Sequence, residues 1–429
     1  MSTVELISNV SHYYYTALSL HRHGYLGHYI TGPSLLDDEA WLRRLGGPFE
    51  RLWRERRLAG IPAKKIKRAW LPEISRRIAG RLGVSGERTN QLHNELFARE
   101  AEIMASECDV LHFVHSVGWR AARHAKRQGA KVICDMREEH PRFQEKILSE
   151  EAERLGIEYS GPGPGIRDRV LEEIDLADYI FCPSSYARRT FLEQGVRPEQ
   201  VVVCPYGVDP ESFGVNENPR RKEPFTILFL GRVCMRKGLH YLLEGFREAG
   251  LGGARLILAG PVDSAYRPIL DQYQGLFEET GAIPHPQVRE QYLRADVFVM
   301  PSLADSFGLV VSEAMSTGLP VIVSQNTGMA DLITDGREGF IVPIRDSRAI
   351  ADKLTDLYQD RERCASMGRA AIMTARKLDW NTYQGACGEF YESLFGKSVT
   401  ANSIRAGSAA ASTEWTQAAS HSRRGERSP

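Results

Sequence analysis

Two acidic and two basic side chains in the second half of the chain have the types and spacing of a site for an anionic ligand. Asp305 and Glu313 lie eight positions apart in DSFGLVVSEAM, on either side of an apolar run. Arg232 and Lys237 lie five positions apart in FLGRVCMRKG, directly after an apolar run. Cations at the end of a buried strand could hold a diphosphate, because Arg presents a planar pair of donors and Lys a mobile charge. The alternative is a pair of solvated surface cations.

The segment around Asp305 predicts a strand, a turn and then a helix. The strand ADVFVMPS (295–302) precedes the turn, and the helix LVVSEAMSTG ends at Gly318. The backbone amides of residues 306–308 then lie at a helix N-terminus, where phosphate oxygens bind. Glu313 lies within the helix among apolar neighbours, where a carboxylate needs a partner. The two hydroxyls of a ribose would supply one, and a structural role in capping a neighbouring backbone is the alternative.

The surrounding sequence predicts the elements that must position these side chains. A chain of 429 residues is too long for one ordinary core, so we expect two domains. Apolar runs typical of buried parallel strands alternate with helical periodicity, and the series begins again after residues 214–224. The predicted strands are 4–8, 109–115, 131–135, 179–183, 200–207, 225–232, 254–260, 295–302, 320–324 and 339–343. The expected fold class is α/β, with two Rossmann-like, doubly wound domains facing each other across a cleft.

The predicted boundaries divide the chain into four parts. The polar stretch 214–224 is the natural linker, so the first domain covers 1–215 and the second covers 216–375. Residues 376–398 predict a C-terminal helix that packs back toward the first domain. Residues 399–429 are rich in Ala, Ser, Gly and Arg and predict a disordered tail, to which we assign no function.

Composition narrows the class of protein. Lys and Arg together number 55, as do Asp and Glu, so the overall charge predicts no nucleic-acid partner. The seven cysteines include no CxxC pair, which indicates buried thiols in a reducing compartment rather than disulfides or a zinc site. No uncharged run approaches the length of a membrane span, and the N-terminus lacks the pattern of a signal peptide. We therefore expect a cytoplasmic protein.

Three motifs in their order and spacing resemble a known family. These are GRVCMRKG, GAIPHPQVREQYLRADVFVMPS and DSFGLVVSEAMSTGLPVIVSQNTGMADLITDGREGFIVP, preceded by ADYIFCPSSYARRTFLEQGVRPEQVVVCPYGVD at 177–209. Together they look like the retaining glycosyltransferases of family 4, also called group 1, which have the GT-B fold. The resemblance implies that the first domain binds the acceptor and that the second binds a nucleotide sugar.

The resemblance also implies roles for individual residues. Arg232 and Lys237 match the family's diphosphate-binding pair, and Glu313 matches the second glutamate of its E-x7-E motif, which binds the ribose. Asp305 stands where the first glutamate contacts the donor sugar, and its shorter arm departs from the pattern. The remaining positions expected to bind the donor are Ser306, Phe307, Gly308, Leu309 and Gly231.

The first half departs further from the family pattern. A histidine is usual in a motif like D-x-H-E-x-x-P, but this chain has DMREEHP at 135–141, which places Arg137 at that position. Arg stays protonated, so it could hold a donor hydroxyl or a phosphate oxygen but not act as a base. We count Arg137 with Asp305, Arg232 and Lys237 as candidate catalytic residues. The candidates on the acceptor side are His12, Tyr13, His115, Glu138 and His140, each of which could instead be structural.

The stretch 51–83 is strongly basic, with 11 basic residues against two acidic ones. Its apolar residues recur every four positions, although Pro72 would interrupt a helix; they are Ile66, Trp70, Ile74, Ile78 and Leu82. Such a stripe could rest on an anionic membrane surface near a lipid-linked acceptor. We slightly favour the alternative, in which the stripe faces the core of an ordinary helix.

The leading functional hypothesis is a retaining hexosyltransferase that uses a UDP- or GDP-linked sugar as donor. Its acceptor would be a glycan or a lipid-linked molecule, and it would act in polysaccharide biosynthesis. We expect no metal and no cofactor, because fixed cations and a helix N-terminus can stabilise the leaving diphosphate. Hydrolysis by two carboxylates is disfavoured, since Asp305 and Glu313 belong to one element and would not flank a scissile bond. A catalytically silent relative that binds sugar nucleotide as a sensor or partner subunit is the alternative, motivated by Asp305 and Arg137. An epimerase or phosphorylase of the same fold is a third hypothesis.

Overall fold

The computed structural model describes residues 2–36, 57–83, 86–159, 161–209, 213–214 and 224–396. Most of the predicted linker 214–224, the tail from 399 and residues 51–56 of the basic stretch lie outside these ranges. The seven cysteines all lie within them and are free thiols. Among the helices of the described residues, none has the length and hydropathy of a membrane-spanning segment.

The first half of the chain forms a parallel sheet. Among the described residues its strand order is β5-β2-β1-β6-β7-β8-β9. These strands are β1 (Val4–Ser8), β2 (Leu26–Thr31), β5 (Ile66–Arg68), β6 (Val110–Val114), β7 (Lys131–Asp135), β8 (Tyr179–Cys182) and β9 (Val201–Val203), and a short pair is formed by β3 (Leu35–Leu36) and β4 (Arg57–Leu58). The helices between them are α1 (Tyr14–Arg22), α2 (Leu71–Arg81), α3 (Glu87–Met104), α4 (Trp119–Arg127), α5 (Pro141–Leu155), α6 (Pro164–Leu176) and α7 (Ser185–Leu192). β1 and β6 are buried at every position, as continuous apolar strands in a parallel sheet should be.

The second half forms another parallel sheet, with the order β12-β11-β10-β13-β14-β15 in the described residues. Its strands are β10 (Thr226–Leu230), β11 (Arg255–Ala259), β12 (Glu278–Gly281), β13 (Val297–Met300), β14 (Val321–Ser324) and β15 (Gly339–Val342). Its helices are α8 (Leu239–Ala249), α9 (Arg267–Leu270), α10 (His285–Arg294), α11 (Leu309–Ser316), α12 (Ser347–Gln359) and α13 (Arg361–Ala375). β10 and β13 are neighbours, so the loops that follow them leave the same edge of the sheet.

The last described helix, α14 (Trp380–Leu394), lies against the first sheet and α1. Its Tyr383 hydroxyl is 2.7 Å from the Thr16 hydroxyl, and the Ser19 hydroxyl donates to the Gln384 carbonyl at 2.6 Å. Trp380 stacks on Tyr15 with ring centroids 4.2 Å apart. The chain therefore returns to its first half after the second sheet is complete.

The apolar stripe of the basic stretch differs from the favoured prediction. Ile66 is buried in β5 rather than in a helix, and Pro72 lies in the first turn of α2, where proline is tolerated. The other stripe residues face outward: Trp70, Ile74, Ile78 and Leu82 are 48%, 48%, 54% and 72% exposed. The core-facing interpretation is therefore wrong for these four residues.

Candidate active site

The loop before α11 brings the two sheets into contact. The Ser306 hydroxyl donates to the backbone carbonyl of Arg137, which follows β7. The Ser306 carbonyl accepts from the Ser184 hydroxyl at 2.6 Å, and the Phe307 ring meets the Tyr206 ring edge-on at 5.4 Å. Three first-sheet residues thus hold a loop of the second sheet in place.

Gly308 sets the direction in which α11 begins. Its φ is +89°, which favours glycine, and a Cβ at this position would lie 3.1 Å from the Thr327 methyl. Leu309 is the first residue of α11, so the amides of the preceding loop residues stand at the helix N-terminus as predicted. The loop therefore offers backbone donors where a phosphate or sugar oxygen could bind.

Asp305 is buried and faces the cations that follow β10. Its carboxylate forms an ion pair with the Lys237 ammonium and accepts from the Phe307 amide at 3.3 Å. Burial alone would raise the pKa of Asp305, but Lys237 and then Arg236 outweigh it, so the pKa lies below its ordinary value. The carboxylate is therefore ionised and held by cations.

The cations occupy the turn between β10 and α8. Lys237 ends a short 3-10 helix (Met235–Lys237). Gly231, at φ +144°, has its carbonyl so close to Gly260 that a Cβ there would clash with it. Arg232 is exposed and forms no ion pair with any residue in the described ranges. Its guanidinium is thus uncommitted within the part of the chain that the structure describes.

Arg236 was missed in reading the sequence. Its guanidinium lies 3.9 Å from the carboxylates of both Glu138 and Glu139, and its side chain is 28% exposed. The sequence signal was the dipeptide Arg236–Lys237, of which only Lys237 matched a family position. Arg236 links the second-sheet cations to the β7–α5 loop of the first sheet.

Glu313 lies on α11 and is partly buried. Its carboxylate accepts from the Tyr292 hydroxyl at 2.9 Å. Burial raises the pKa of Glu313 to about 7, although the Tyr292 hydrogen bond partly offsets this effect. No contact joins Glu313 to Asp305 or to the cations within the described residues, so the structure does not bring it into their cluster.

The β7–α5 loop carries Arg137, Glu138 and Glu139. The Arg137 Nε is buried and has no hydrogen-bond partner among the described residues. Glu138 is half-exposed; burial alone would raise its pKa, but Arg236 outweighs this effect and the pKa lies below its ordinary value. Glu139, which was not predicted, is almost fully buried, and burial raises its pKa to about 6 against the opposing effect of Arg236.

His115, after β6, lies near this loop. Its side chain is buried, with Nδ1 3.2 Å from the Ser116 hydroxyl and Nε2 unpartnered within the described residues. Burial, followed by the positive charge of Arg137, lowers the pKa of His115 to about 4. The imidazole is therefore neutral near pH 7.

The remaining acceptor-side candidates are more strongly tied to the fold. Tyr13 is fully buried, and its hydroxyl donates to Asp135 at 2.6 Å. His12 packs between Tyr13 and Tyr206, with ring centroids 4.6 and 4.7 Å away, and burial lowers its pKa to about 3. His140 caps α5, because its Nδ1 accepts from the Arg142 amide at 3.2 Å. Its ring is therefore committed to a structural role.

A second contact between the halves of the chain centres on Glu151 of α5. This fully buried carboxylate accepts from His240 Nε2 at 2.8 Å, from the Tyr241 hydroxyl at 2.6 Å and from Arg345 Nε at 2.6 Å. Burial would raise the pKa of Glu151, but these hydrogen bonds lower it to about 2. Three second-sheet side chains thus fix α5 beside the loop that carries Lys237.

Two family models match consecutive parts of the chain. The model of the glycosyl transferases group 1 matches residues 212–373, and the model of Glycosyltransferase Family 4 matches residues 74–212. The putative colanic acid biosynthesis glycosyltransferase WcaL of Salmonella typhimurium is 29% identical over 174 residues, which cover 38% of this chain and 43% of that protein. The sulfoquinovosyl transferase SQD2 of Arabidopsis thaliana is 30% identical over 221 residues, or 48% of this chain and 42% of that protein. The chain therefore spans less than half the length of these two relatives.

Solved structures share the fold over nearly the whole chain. Anabaena HepE in complex with UDP and glucose has a TM-score of 0.61 at 16% identity, covering 92% of this chain and 100% of that one. Sucrose-phosphate synthase from Thermosynechococcus elongatus has a TM-score of 0.58 at 17% identity, covering 93% and 100%. The expected GT-B arrangement of two Rossmann-like sheets is confirmed. The chain belongs to the group 1 glycosyltransferases, in family 4.

Proposed function

We propose that the chain transfers a hexosyl group from a UDP- or GDP-linked sugar to a glycan or lipid-linked acceptor, with retention and without a metal ion. One observation carries the proposal: Lys237 and Arg236 converge on buried Asp305 in the loop that joins the two sheets. Membership of the family supports a nucleotide sugar as the donor, and the structure of HepE, which has the same fold, contains UDP and glucose. Polysaccharide synthesis is the setting we infer, since WcaL is named for colanic acid biosynthesis.

The transfer breaks the bond between the anomeric carbon and the diphosphate oxygen. The acceptor oxygen forms the new bond on the same face, and its proton passes to the leaving diphosphate. Arg232, Lys237 and the amides before α11 would stabilise the charge that develops on the diphosphate. Glu313 would accept from the two ribose hydroxyls. Arg137, which stays protonated, would hold a donor hydroxyl or phosphate oxygen rather than act as a base.

Thermal-shift measurements with UDP, GDP and ADP identify the base, since a ligand that binds only the folded state raises the Tm. The matching hexose donors are then assayed for nucleotide release with a mixture of acceptors, with and without EDTA. NMR of the product reports the anomer. We expect a Tm rise with UDP or GDP, EDTA-resistant turnover and a retained anomer. Inversion or loss of turnover in EDTA would contradict those parts of the proposal.

The silent alternative rests on the same residues. The ion pair with Lys237 occupies Asp305, and Arg137 stands at the position where the family usually has histidine. A sensor or partner subunit would bind nucleotide sugar without turnover across many acceptors. The assay above separates the two functions, because nucleotide release with any acceptor is incompatible with a silent protein.

We further propose that the protein is cytoplasmic and contacts the inner face of a membrane through α2. The exposed apolar side chains of Ile74 and Ile78, with Trp70 directly before the helix, are accompanied by three arginines on α2 against one glutamate. An apolar face flanked by cations binds anionic lipid surfaces.

Co-sedimentation with vesicles of phosphatidylglycerol tests this contact. We expect binding that salt weakens and that the double variant Ile74→Ser, Ile78→Ser loses. Ile103→Ser is the matched control, because Ile103 is 83% exposed on α3. Equal binding of both variants would rule out α2 as the contact.

A further inference from the structure

A cavity of about 360 Å³ lies beyond the ends of β6 and β7, between α5 and α6. Its volume falls within the range of roughly 300–1,000 Å³ of small-molecule sites. Met136, Ile166 and Val170 form an apolar wall, while His115 and Glu139 are polar. We call this space the α5–α6 cavity.

Two deeply buried polar atoms in the lining have no hydrogen-bond partner among the described residues. They are Nε2 of His115 and Oε1 of Glu139, in side chains that are 8% and 1% exposed. An unpaired buried polar atom destabilises the folded state, so such atoms indicate a group that the cavity receives. A hydroxyl can both donate and accept, and it would satisfy either atom.

The backbone beside His115 is held in an uncommon conformation. Ser116 has a φ of +71°, although it is not glycine. Its amide donates to both carboxylate oxygens of Glu173, at 3.0 and 2.8 Å, and these bonds fix the turn. Strain of this kind persists where the surroundings impose it, often at binding sites. The contact between Ser116 and Glu173 therefore fixes the backbone that positions the His115 ring.

The carboxylates of the lining disfavour anionic ligands. Glu138 and Glu139 both line the cavity, and Arg167, which lines it too, is paired with Glu145 at 2.7 Å. The nearby Arg236 lies 3.9 Å from both loop carboxylates and next to the Lys237 that binds Asp305. The cavity thus combines carboxylates with an apolar wall and adjoins the cations that we assign to the donor.

We propose that the α5–α6 cavity is the subsite for an uncharged sugar ring of the acceptor, whose hydroxyls are received by Glu139 and His115. This inference rests on the proposed function and names its acceptor class. Carboxylates and a neutral imidazole accept from hydroxyls, the apolar wall covers the C–H face of the ring, and Glu138 and Glu139 repel uronate or phosphate substituents.

Titration followed by ligand-observed NMR tests the proposal, with the preferred nucleotide present at saturation. The probes are the methyl α-glycosides of glucose, galactose and mannose, together with methyl α-glucuronoside. We expect at least one neutral glycoside to bind in the range of about 1 mM that suits a ligand of this size, and the uronoside at least tenfold more weakly. Glu139→Ala should lose the neutral glycoside. Glu139→Gln keeps the size of the side chain but not its charge, so the Kd of the uronoside should come closer to that of the neutral glycoside.

Glu153→Ala is the matched control, since Glu153 is exposed on the same helix α5, and it should leave both affinities unchanged. Retained nucleotide binding by each variant shows that it is folded. The proposal is overturned if no glycoside binds, if neutral and acidic glycosides bind equally, or if Glu139→Ala binds as the unaltered chain does. It is also overturned if UDP-glucose or GDP-mannose displaces the glycoside, because the cavity then holds the donor hexose. Failure to bind any nucleotide would instead refute the proposed function.

Discussion

Lowering the pH from 8 to 6 should weaken nucleotide binding through one side chain, Glu313. Burial raises its pKa to about 7, and the Tyr292 hydrogen bond only partly offsets that effect. An ionised carboxylate can accept from both ribose hydroxyls, whereas a protonated one must use one oxygen as a donor. With this pKa the ionised fraction falls from about nine tenths at pH 8 to about one tenth at pH 6. The Kd should therefore rise roughly tenfold, or about 1.4 kcal/mol.

Isothermal titration of UDP or GDP measures this effect in the unaltered chain, in Glu313→Gln and in the control Glu290→Gln. Glu290 is exposed on α10, the helix that carries Tyr292. Phosphate groups themselves take up a proton near pH 6, so the ratio of Kd values between proteins is the quantity compared. The unaltered chain and Glu290→Gln should each be about tenfold more sensitive to pH than Glu313→Gln. Equal sensitivity in Glu313→Gln would show that its carboxylate does not bind the nucleotide.

Three further predictions follow from buried carboxylates. Lys237→Met should lower the free energy of unfolding by about 3 kcal/mol, because it leaves the buried Asp305 charge without its partner. Lys353→Met, at a half-exposed pair with Asp356, should lower it by under about 1 kcal/mol. Glu151 has a pKa of about 2 in the folded protein, below its ordinary value of 4.5. Its ionised carboxylate therefore stabilises the fold above pH 4.5, and this stabilisation is lost as the pH falls from 4.5 toward 2. Glu151→Gln should make the Tm fall less steeply in acid. Glu313 has a pKa raised from 4.5 to about 7, so its contribution to stability falls as the pH rises from 4.5 to 7 and the full cost is present above 7. Glu313→Gln should therefore stabilise the nucleotide-free protein by up to about 3 kcal/mol at pH 8 but not at pH 4.

Urea unfolding and scanning calorimetry measure these changes. Equal losses in the two lysine variants would mean that the pair at Asp305 behaves like a surface pair. An unchanged acid profile in Glu151→Gln would remove Glu151 from the residues that hold the halves together. A Glu313→Gln protein less stable than the unaltered chain at pH 8 would show that the carboxylate is better solvated than its burial indicates.

Much of the fold could be predicted because buried parallel strands have a simple sequence pattern. KVICD, predicted as 131–135, is β7 with the same bounds, and FTILFLGR contains β10 with Arg232 just beyond it. The order of these strands also places Arg232 and the loop before α11 at one edge of the second sheet.

Pairings between the sheets could not be read from the sequence. Lys237 meets Asp305 within the second half, but Arg236 meets Glu138 and Glu139 across the halves, and no periodicity encodes such a contact. Glu139 looked like one charge among several in DMREEHP, and only the packing of α5 and α6 shows that it is buried.

Sequence periodicity also could not tell what a helix face meets. The four-residue spacing of Ile74 and Ile78 correctly put them on one face, but that face is exposed. The same holds for His140, because a histidine before Pro141 could bind a ligand or cap a helix, and the sequence does not distinguish the two. In the structure it caps α5.

A crystal structure of the protein with its preferred nucleoside diphosphate would show whether these side chains form the donor site. We expect the diphosphate within hydrogen-bond distance of Arg232 and Lys237, and both ribose hydroxyls on the Glu313 carboxylate. A nucleotide bound elsewhere, or with its ribose away from Glu313, would contradict this expectation.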